Sequence, residues 1–322
     1  MRACVYADPK LSPAMARVAE ALQRYAPPEL EFTPAAELAD LVVLHVIGYP
    51  ETAAAVEELR ARGQRYAIMQ YCMRSTQEPN TLNWLDIWRG AEAVWSYYDL
   101  DALLVEDGYA EQLCPWCREE LPHVGQGTGA IDFPRCFYFA PLGVDLEAFE
   151  PLITIGERFA MLTSGYVAES ECVAECTQAA ARVGRRVFHL GPALECHRNI
   201  DNVEQRHGIT DDELARAYSR CDYVAGMRRC EGFEMPAAEG LCCGARPMML
   251  DRPHYRQWFA PWAVFVPELA PDLLTDSIAA VLANDVTPVS LEELEAARKF
   301  FDWRPLVAGF WQRALHNIEV IG

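Results

Sequence analysis

The stretch DYVAGMRRCEGFEMPAAEGLCCG, residues 222–244, decides how the chain is read. Its first six residues form an apolar run of strand character, and Pro236 opens a segment with helical spacing. Proline suits the first turn of a helix, where its missing N–H would have had no partner. A strand followed at once by a helix is the repeating unit of an α/β layer, and in open α/β sheets ligands bind at the carboxyl ends of the strands. The loop between the two carries Glu231, with Arg228 and Arg229 just upstream and Glu239 eight positions on. This spacing puts Glu239 in the first turn of the helix, beside backbone N–H groups that attract phosphate. Gly232 lets backbone approach a ligand closely, and the arginines supply fixed positive charge. Phosphate-binding amides, cations and two hydroxyl-accepting carboxylates together suit a diphosphate set between two hydroxylated rings, which describes a nucleotide sugar. The alternative reading leaves Glu239 complementing the helix dipole and Glu231 facing solvent.

The alternation extends in both directions. Strands are expected at 2–7, 41–47, 66–71 and 93–98, with helices at 13–25, 52–62 and 82–89 between them. LVVLHVI (41–47) is nearly continuous in apolar character, as a parallel strand covered on both faces should be. From 107 to 135 the pattern dissolves into glycine, proline and cysteine, and FYFAPLGVD (137–145) resumes it as a strand. A second series follows: strands at 159–166, 186–191, 222–227 and 247–250, and helices at 169–183, 211–219 and 236–243. Residues 291–316 close the chain with one run of helical spacing. The expected architecture is α/β, with two Rossmann-like, doubly wound domains.

Bulk properties bound the function. The chain has 322 residues, 51% of them hydrophobic, enough for two ordinary cores. It has no apolar run of membrane-spanning length, and its first residues lack the pattern of a secretory signal. Twelve cysteines without such a signal point to a reducing, cytoplasmic setting in which they are thiols or metal ligands. A net charge of -19 opposes loose binding to polyanions, nucleic acid included.

The quoted stretch, with Glu231-Gly-Phe-Glu-Met-Pro-Ala-Ala-Glu239, resembles the E-x7-E signature of retaining GT-B glycosyltransferases, in particular family 4. Three flanking segments are similar in order and spacing: PLGVDLEAFEP (141–151), HGITDDELARAYSRCDYV (207–224) and ARKFFDWRPLVAGFWQRAL (297–315). The resemblance implies two domains facing a central cleft: an acceptor-side domain at 1–142, a donor domain at 143–300, and a terminal helix at 301–322 crossing back to the first. It implies transfer of a sugar from a nucleotide-sugar donor to a hydroxyl acceptor, with no essential catalytic metal. Glu239 would bind the ribose. Glu231, with the backbone at Phe233 and Glu234, would bind the donor sugar, and the helix start at Met235, Pro236 and Ala237 would hold the diphosphate. Ser164 and Gly165 match the small residues that end the first donor-domain strand.

Three departures qualify the match. Glu234 stands where the family has glycine. The lysine expected after the first donor-domain strand is absent from Gly165-Tyr-Val-Ala-Glu-Ser-Glu171, and the whole chain has only Lys10 and Lys299, so Arg228 and Arg229 must serve the diphosphate. No histidine follows the third strand, where Gln70 or, from the second strand, His45 would stand on the acceptor side. The acceptor stays open among small metabolites, saccharides, proteins and a hydroxylated DNA base of the viral type, and the net charge disfavours the last. A catalytically inactive sugar-nucleotide binder or scaffold of the same fold is the second functional class, and a sugar-phosphate epimerase is a third.

Outside the resemblance, Cys114 and Cys117 form a C-x2-C knuckle, followed by His123 and Cys136 in the same irregular segment. The four could hold a structural zinc tetrahedrally, or remain unligated thiols. Cys172, Cys176, Cys242 and Cys243 read as core packing.

Overall fold

The computed structural model describes residues 1–6, 13–46, 49–72, 84–106, 109–113, 137–153, 158–165, 169–198, 200–284 and 287–319. Cys114, Cys117, His123 and Cys136, and with them the zinc reading, lie outside the described residues. Two compact units make up the chain: Met1–Leu142 together with Trp303–Gly322, and Gly143–Asp302.

The first unit holds a six-stranded sheet of β1 (Arg2–Tyr6), β2 (Glu31–Phe32), β3 (Leu41–His45), β4 (Arg65–Gln70), β5 (Val94–Ser96) and β6 (Phe137–Phe139). Their order is β2-β1-β3-β4-β5-β6, and every pairing is parallel. Parallel strands need crossovers that cover both faces, which is why Leu41, Val42 and Val43, and Ala67, Ile68 and Met69, are buried in unbroken runs. The last helix, Trp303–Glu319, packs in this unit: Trp311 Nε1 donates to the Leu22 carbonyl at 2.9 Å, and the rings of Trp303 and Phe310 lie 6.0 and 5.7 Å from that of Trp95.

The second unit holds β7 (Phe159–Ser164), β8 (Val187–Leu190), β9 (Val203–Arg206), β10 (Cys221–Gly226), β11 (Arg246–Leu250) and β12 (Val264–Val266), all parallel, in the order β12-β11-β10-β7-β8-β9. From β7 the chain winds outward through β8 and β9. It then returns to the other side of β7 as β10 and winds the opposite way. The switch point therefore falls between β7 and β10, where the two following loops part and leave a crevice for a ligand. Val224 pairs with Leu162, so Gly226 at the end of β10 comes level with Ser164 at the end of β7.

Helix Asp211–Ser219 occupies the expected span because it starts on a capping box: Thr210 Oγ1 accepts from the Glu213 N–H at 3.3 Å, and Glu213 Oε2 accepts from the Thr210 N–H at 2.8 Å. The expected single helix over 291–316 is two, Leu291–Phe300 and Trp303–Glu319. Pro305 has no N–H to give the carbonyl of Phe301, four residues earlier. Val144 N–H takes that carbonyl at 2.7 Å, and Val144 and Asp302 form a parallel bridge. Strands β2, β9 and β12 and helices Pro253–Phe259 and Pro271–Ala283 are additions to the sequence reading. Among the described residues no helix is long and apolar enough to cross a membrane.

Helix Met235–Cys242 lies close on β10 because Gly240 carries no side chain: a Cβ there would fall 2.7 Å from Val224 Cγ1 and 2.9 Å from Val224 Cβ. Val224 is a fully buried, β-branched strand residue with little freedom to turn away. Overpacking should therefore outweigh the helix propensity that alanine adds, and Gly240→Ala should lower unfolding free energy by about 1–2 kcal/mol. Urea denaturation measures it; an unchanged or higher midpoint would mean that the helix can back away from the sheet.

Candidate functional site

The candidate site is built at the switch point of the second unit. β10 ends at Gly226, the loop carries Arg228 to Glu234, and helix Met235–Cys242 follows with Pro236 in its first turn, as the sequence reading expected. Arg228 is the hub. Its Nη1 donates to Glu234 Oε2 at 3.1 Å, its Nε donates to Glu171 Oε1 at 3.1 Å, and its Nη2 lies 3.5 Å from Ser164 Oγ. One guanidinium thus spans from the loop after β10 to the end of β7. Burial works against its charge, and Glu234, Glu231 and Glu171 overcome that cost, so its pKa is raised.

Glu234, the residue that departs from the resembled signature, is 1% exposed. Besides Nη1 it faces the Arg228 N–H at 3.3 Å and the Tyr255 hydroxyl at 3.2 Å, both on Oε1. The same hydroxyl lies 2.7 Å from the Arg228 carbonyl. Burial raises the Glu234 pKa, and Arg228, the Tyr255 hydroxyl and the Arg228 N–H hold that shift back. Glu234 therefore extends inward, toward Arg228 and Tyr255. Glu231 is half-buried and contributes to the field on Arg228.

Arg229 diverges from its neighbour. Its Nη1 pairs with Glu268 at 2.8 Å, its Nη2 with Glu175 at 3.5 Å, and its N–H donates to the Ser170 carbonyl at 2.8 Å. Arg252 completes this group, binding both Glu268 and the Arg229 carbonyl. Arg246 starts β11 and so sits at the amino end of the strands, opposite the switch-point loops, where Glu293, Trp262, Thr287 and Pro288 take its guanidinium.

The expected place of Glu239 in the first helical turn is corrected. It is the fifth residue of Met235–Cys242, 3% exposed, and its Oε2 accepts from the Tyr218 hydroxyl at 3.1 Å. The helix starts one residue earlier than Pro236, which drops Glu239 into the second turn and turns it toward helix Asp211–Ser219. Ala237 is fully buried and Gly232 buried, Met235 and Pro236 are half-buried, and Phe233 packs on the rings of Phe259 and Phe301 at 5.5 and 6.1 Å.

At the end of β7, Gly165 has φ +156°. A side chain there would collide with Glu171, and one at Gly191, after β8, would lie 2.3 Å from the Gly165 carbonyl oxygen. Backbone fills the space that side chains would take. Glu171, Tyr255 and Tyr218 escaped the sequence reading, because contacts spanning 57, 27 and 21 residues leave no spacing signal.

His45 and Gln70 end β3 and β4 in the first unit. His45 Nδ1 lies 2.9 Å from the Tyr71 hydroxyl, its buried Nε2 has no partner among the described residues, and burial lowers its pKa to about 4, so the ring is neutral near pH 7. Gln70 faces the interior, where its Oε1 accepts from Trp88 Nε1 at 2.9 Å. Burial pushes the Cys172 and Cys242 thiols up to about 12, which keeps them protonated. Among the described residues no group of three or more His, Cys, Asp or Glu could hold a metal ion.

No family model matches the chain, and no curated protein matches it in sequence. Solved structures do match. Sucrose-phosphate synthase from Thermosynechococcus elongatus superposes with a TM-score of 0.64 at 14% identity, over 88% of this chain and 75% of that one. AviGT4, a glycosyltransferase involved in avilamycin A biosynthesis, gives 0.57 at 14% identity, over 99% and 97%. A glycosyltransferase from Rickettsia africae ESF-5 gives 0.59 at 11% identity, over 96% and 82%. At these identities the likeness establishes the fold, the two-domain α/β architecture known as GT-B.

Glu234→Ala should leave Arg228 without its most buried partner and lower unfolding free energy by about 2–4 kcal/mol. Glu234→Gln, which keeps an oxygen for Tyr255, should cost less. Thermal unfolding of both variants checks the order; equal midpoints for the two would show that the retained amide oxygen recovers nothing and that the carboxylate charge carries the whole contribution.

Proposed function

We propose that the protein is a glycosyltransferase that takes a sugar from a nucleotide-sugar donor and passes it, with retained anomeric configuration, to a hydroxyl acceptor. The observation that carries this reading is Arg228 spanning the switch point between β7 and β10. Breaking the donor's glycosidic bond puts negative charge on the leaving diphosphate, and a preorganised cation at that point lowers the barrier. Arg228 takes this role in place of the missing lysine, while the backbone of Gly165 and the helix start at Met235, Pro236 and Ala237 border the phosphates. Glu239, oriented by Tyr218, is assigned to the ribose, and Glu231 to the hydroxyls of the donor sugar.

Arg229, bound to Glu175 and Glu268, supports the loop and leaves the chemistry to Arg228. On the acceptor side the reading assigns His45, whose neutral ring and unpartnered Nε2 suit a hydrogen bond with a hydroxyl. Gln70 is assigned to supporting that strand end through Trp88. The solved structures of similar fold include two described as glycosyltransferases and one as a sucrose-phosphate synthase, which fits the reading.

In a thermal-shift panel of nucleoside diphosphates, at least one should raise the unfolding midpoint, since a ligand that binds only the native state stabilises it. With that donor, Arg228→Ala should lower kcat/KM by about 10²–10³, as loss of one charge-stabilising group does, while Arg229→Ala should act mainly on stability. Donor turnover unaffected by loss of Arg228 would refute the assignment.

A further inference from the structure

Glu171 lies against Gly165 at the end of β7. A Cβ on Gly165 would fall 1.9 Å from Glu171 Oε2 and 2.3 Å from its carboxyl carbon, so the carboxylate occupies the ground that the missing side chain leaves open. The same carboxylate accepts from Arg228 Nε at 3.1 Å, and Arg228 Nη2 lies 3.5 Å from Ser164 Oγ. An anionic group therefore already sits between the β7 turn and the guanidinium at the switch point. A guanidinium fork matches carboxylate and phosphate oxygens with the same geometry, so the two compete for one place.

The two carboxylates on Arg228 are not equivalent. The Glu234 side chain is 1% exposed and faces three donors, which fixes it. The Glu171 side chain is 13% exposed and stands on the turn that leads into helix Val173–Arg182. Glu171 is the partner that can be exchanged. Charge points the same way: Glu171, Glu231 and Glu234 all act on a single Arg228, and a diphosphate arriving there meets an excess of negative charge that displacing one carboxylate reduces.

We propose that Glu171 is a built-in occupant of the phosphate seat, holding Arg228 in the unliganded protein and giving it up to the incoming diphosphate. The inference rests on reading Gly165 and Arg228 as the diphosphate site. Its consequence runs against the usual effect of removing a binding-site residue, because loss of the Glu171 charge tightens binding of the anion. It also sets a threshold for ligands: a weakly held anion does not displace Glu171, whereas a diphosphate, with several oxygens to offer the guanidinium, does.

The test is calorimetric titration at low ionic strength, with inorganic pyrophosphate and with uridine, guanosine, adenosine and thymidine diphosphates, into the full chain and its Glu171→Gln variant. Glutamine keeps the size and shape of the side chain and removes its charge, and Glu171→Ala serves as a second variant. Pyrophosphate should bind Glu171→Gln about tenfold more tightly than wild type, the scale of one exchanged charge-assisted hydrogen bond. The KM for the nucleotide-sugar donor should fall in step. Equal or weaker pyrophosphate binding by both variants, or no binding to any of the three proteins, overturns the proposal. If a nucleoside diphosphate binds wild type while neither variant binds more tightly, the glycosyltransferase reading stands and the seat falls. If pyrophosphate tightens but no nucleoside diphosphate exceeds it, the seat stands and the nucleotide reading falls.

Discussion

The guanidinium of Arg228, held by Glu234 on one side and Glu171 on the other, is the interaction on which the rest of the site depends. Taking a carboxylate as buried as Glu234 out of water costs several kcal/mol, and the attraction of its partner offsets that only if the remaining lone pairs are also met. The Arg228 N–H and the Tyr255 hydroxyl meet them. Such a pair adds little to stability when compared with a well-packed apolar replacement. What it achieves is placement: it fixes a cation at the one point in the sheet where two successive loops part.

The arrangement on either side of Arg228 follows from the same constraint. Beside this cation, at the ends of β7 and β8, the structure uses glycine. Gly165 and Gly191 adopt φ values near +155°, and the Gly165 carbonyl lies where a side chain on Gly191 would be. The loop that carries Arg228 is braced by Arg229, Glu175, Glu268 and Arg252, which are joined in a set of ion pairs of their own. Two adjacent arginines thus divide their work: one faces the switch point, and the other holds the loop that presents it.

Much of this was legible in the sequence. The apolar runs of β3, β7 and β10 and the helix at Asp211–Ser219 declare themselves because parallel strands are buried on both faces and the helix carries its own cap. Edge strands β2 and β9 do not: Glu31–Phe32 is only a single pair, and Val-Glu-Gln-Arg at 203–206 is largely polar, as an exposed edge permits. The break at Phe301–Asp302 is masked by helical periodicity that runs straight through it; Pro305 is its local sign, and the carbonyl that Pro305 leaves goes to the distant Val144. At the site, Arg228, Glu231 and Glu239 stand out by spacing within one loop and helix. Glu234 was visible as a departure without a direction, since its turn toward Tyr255 depends on a side chain 21 residues away. Glu171 carried no signal of its own, and only ended the stretch from which the expected lysine is missing. Its contact with Gly165 belongs to the three-dimensional switch point, which no local pattern encodes.

The central claim is that a diphosphate binds where Arg228 joins β7 to β10, and amide hydrogen exchange with and without a nucleoside diphosphate tests it most directly. The account predicts slowed exchange in two segments of the second unit, Ser164 to Glu171 and Arg228 to Glu239, because a ligand that binds there suppresses the local openings through which those amides exchange. Protection confined to other segments, with these two unchanged, would contradict it.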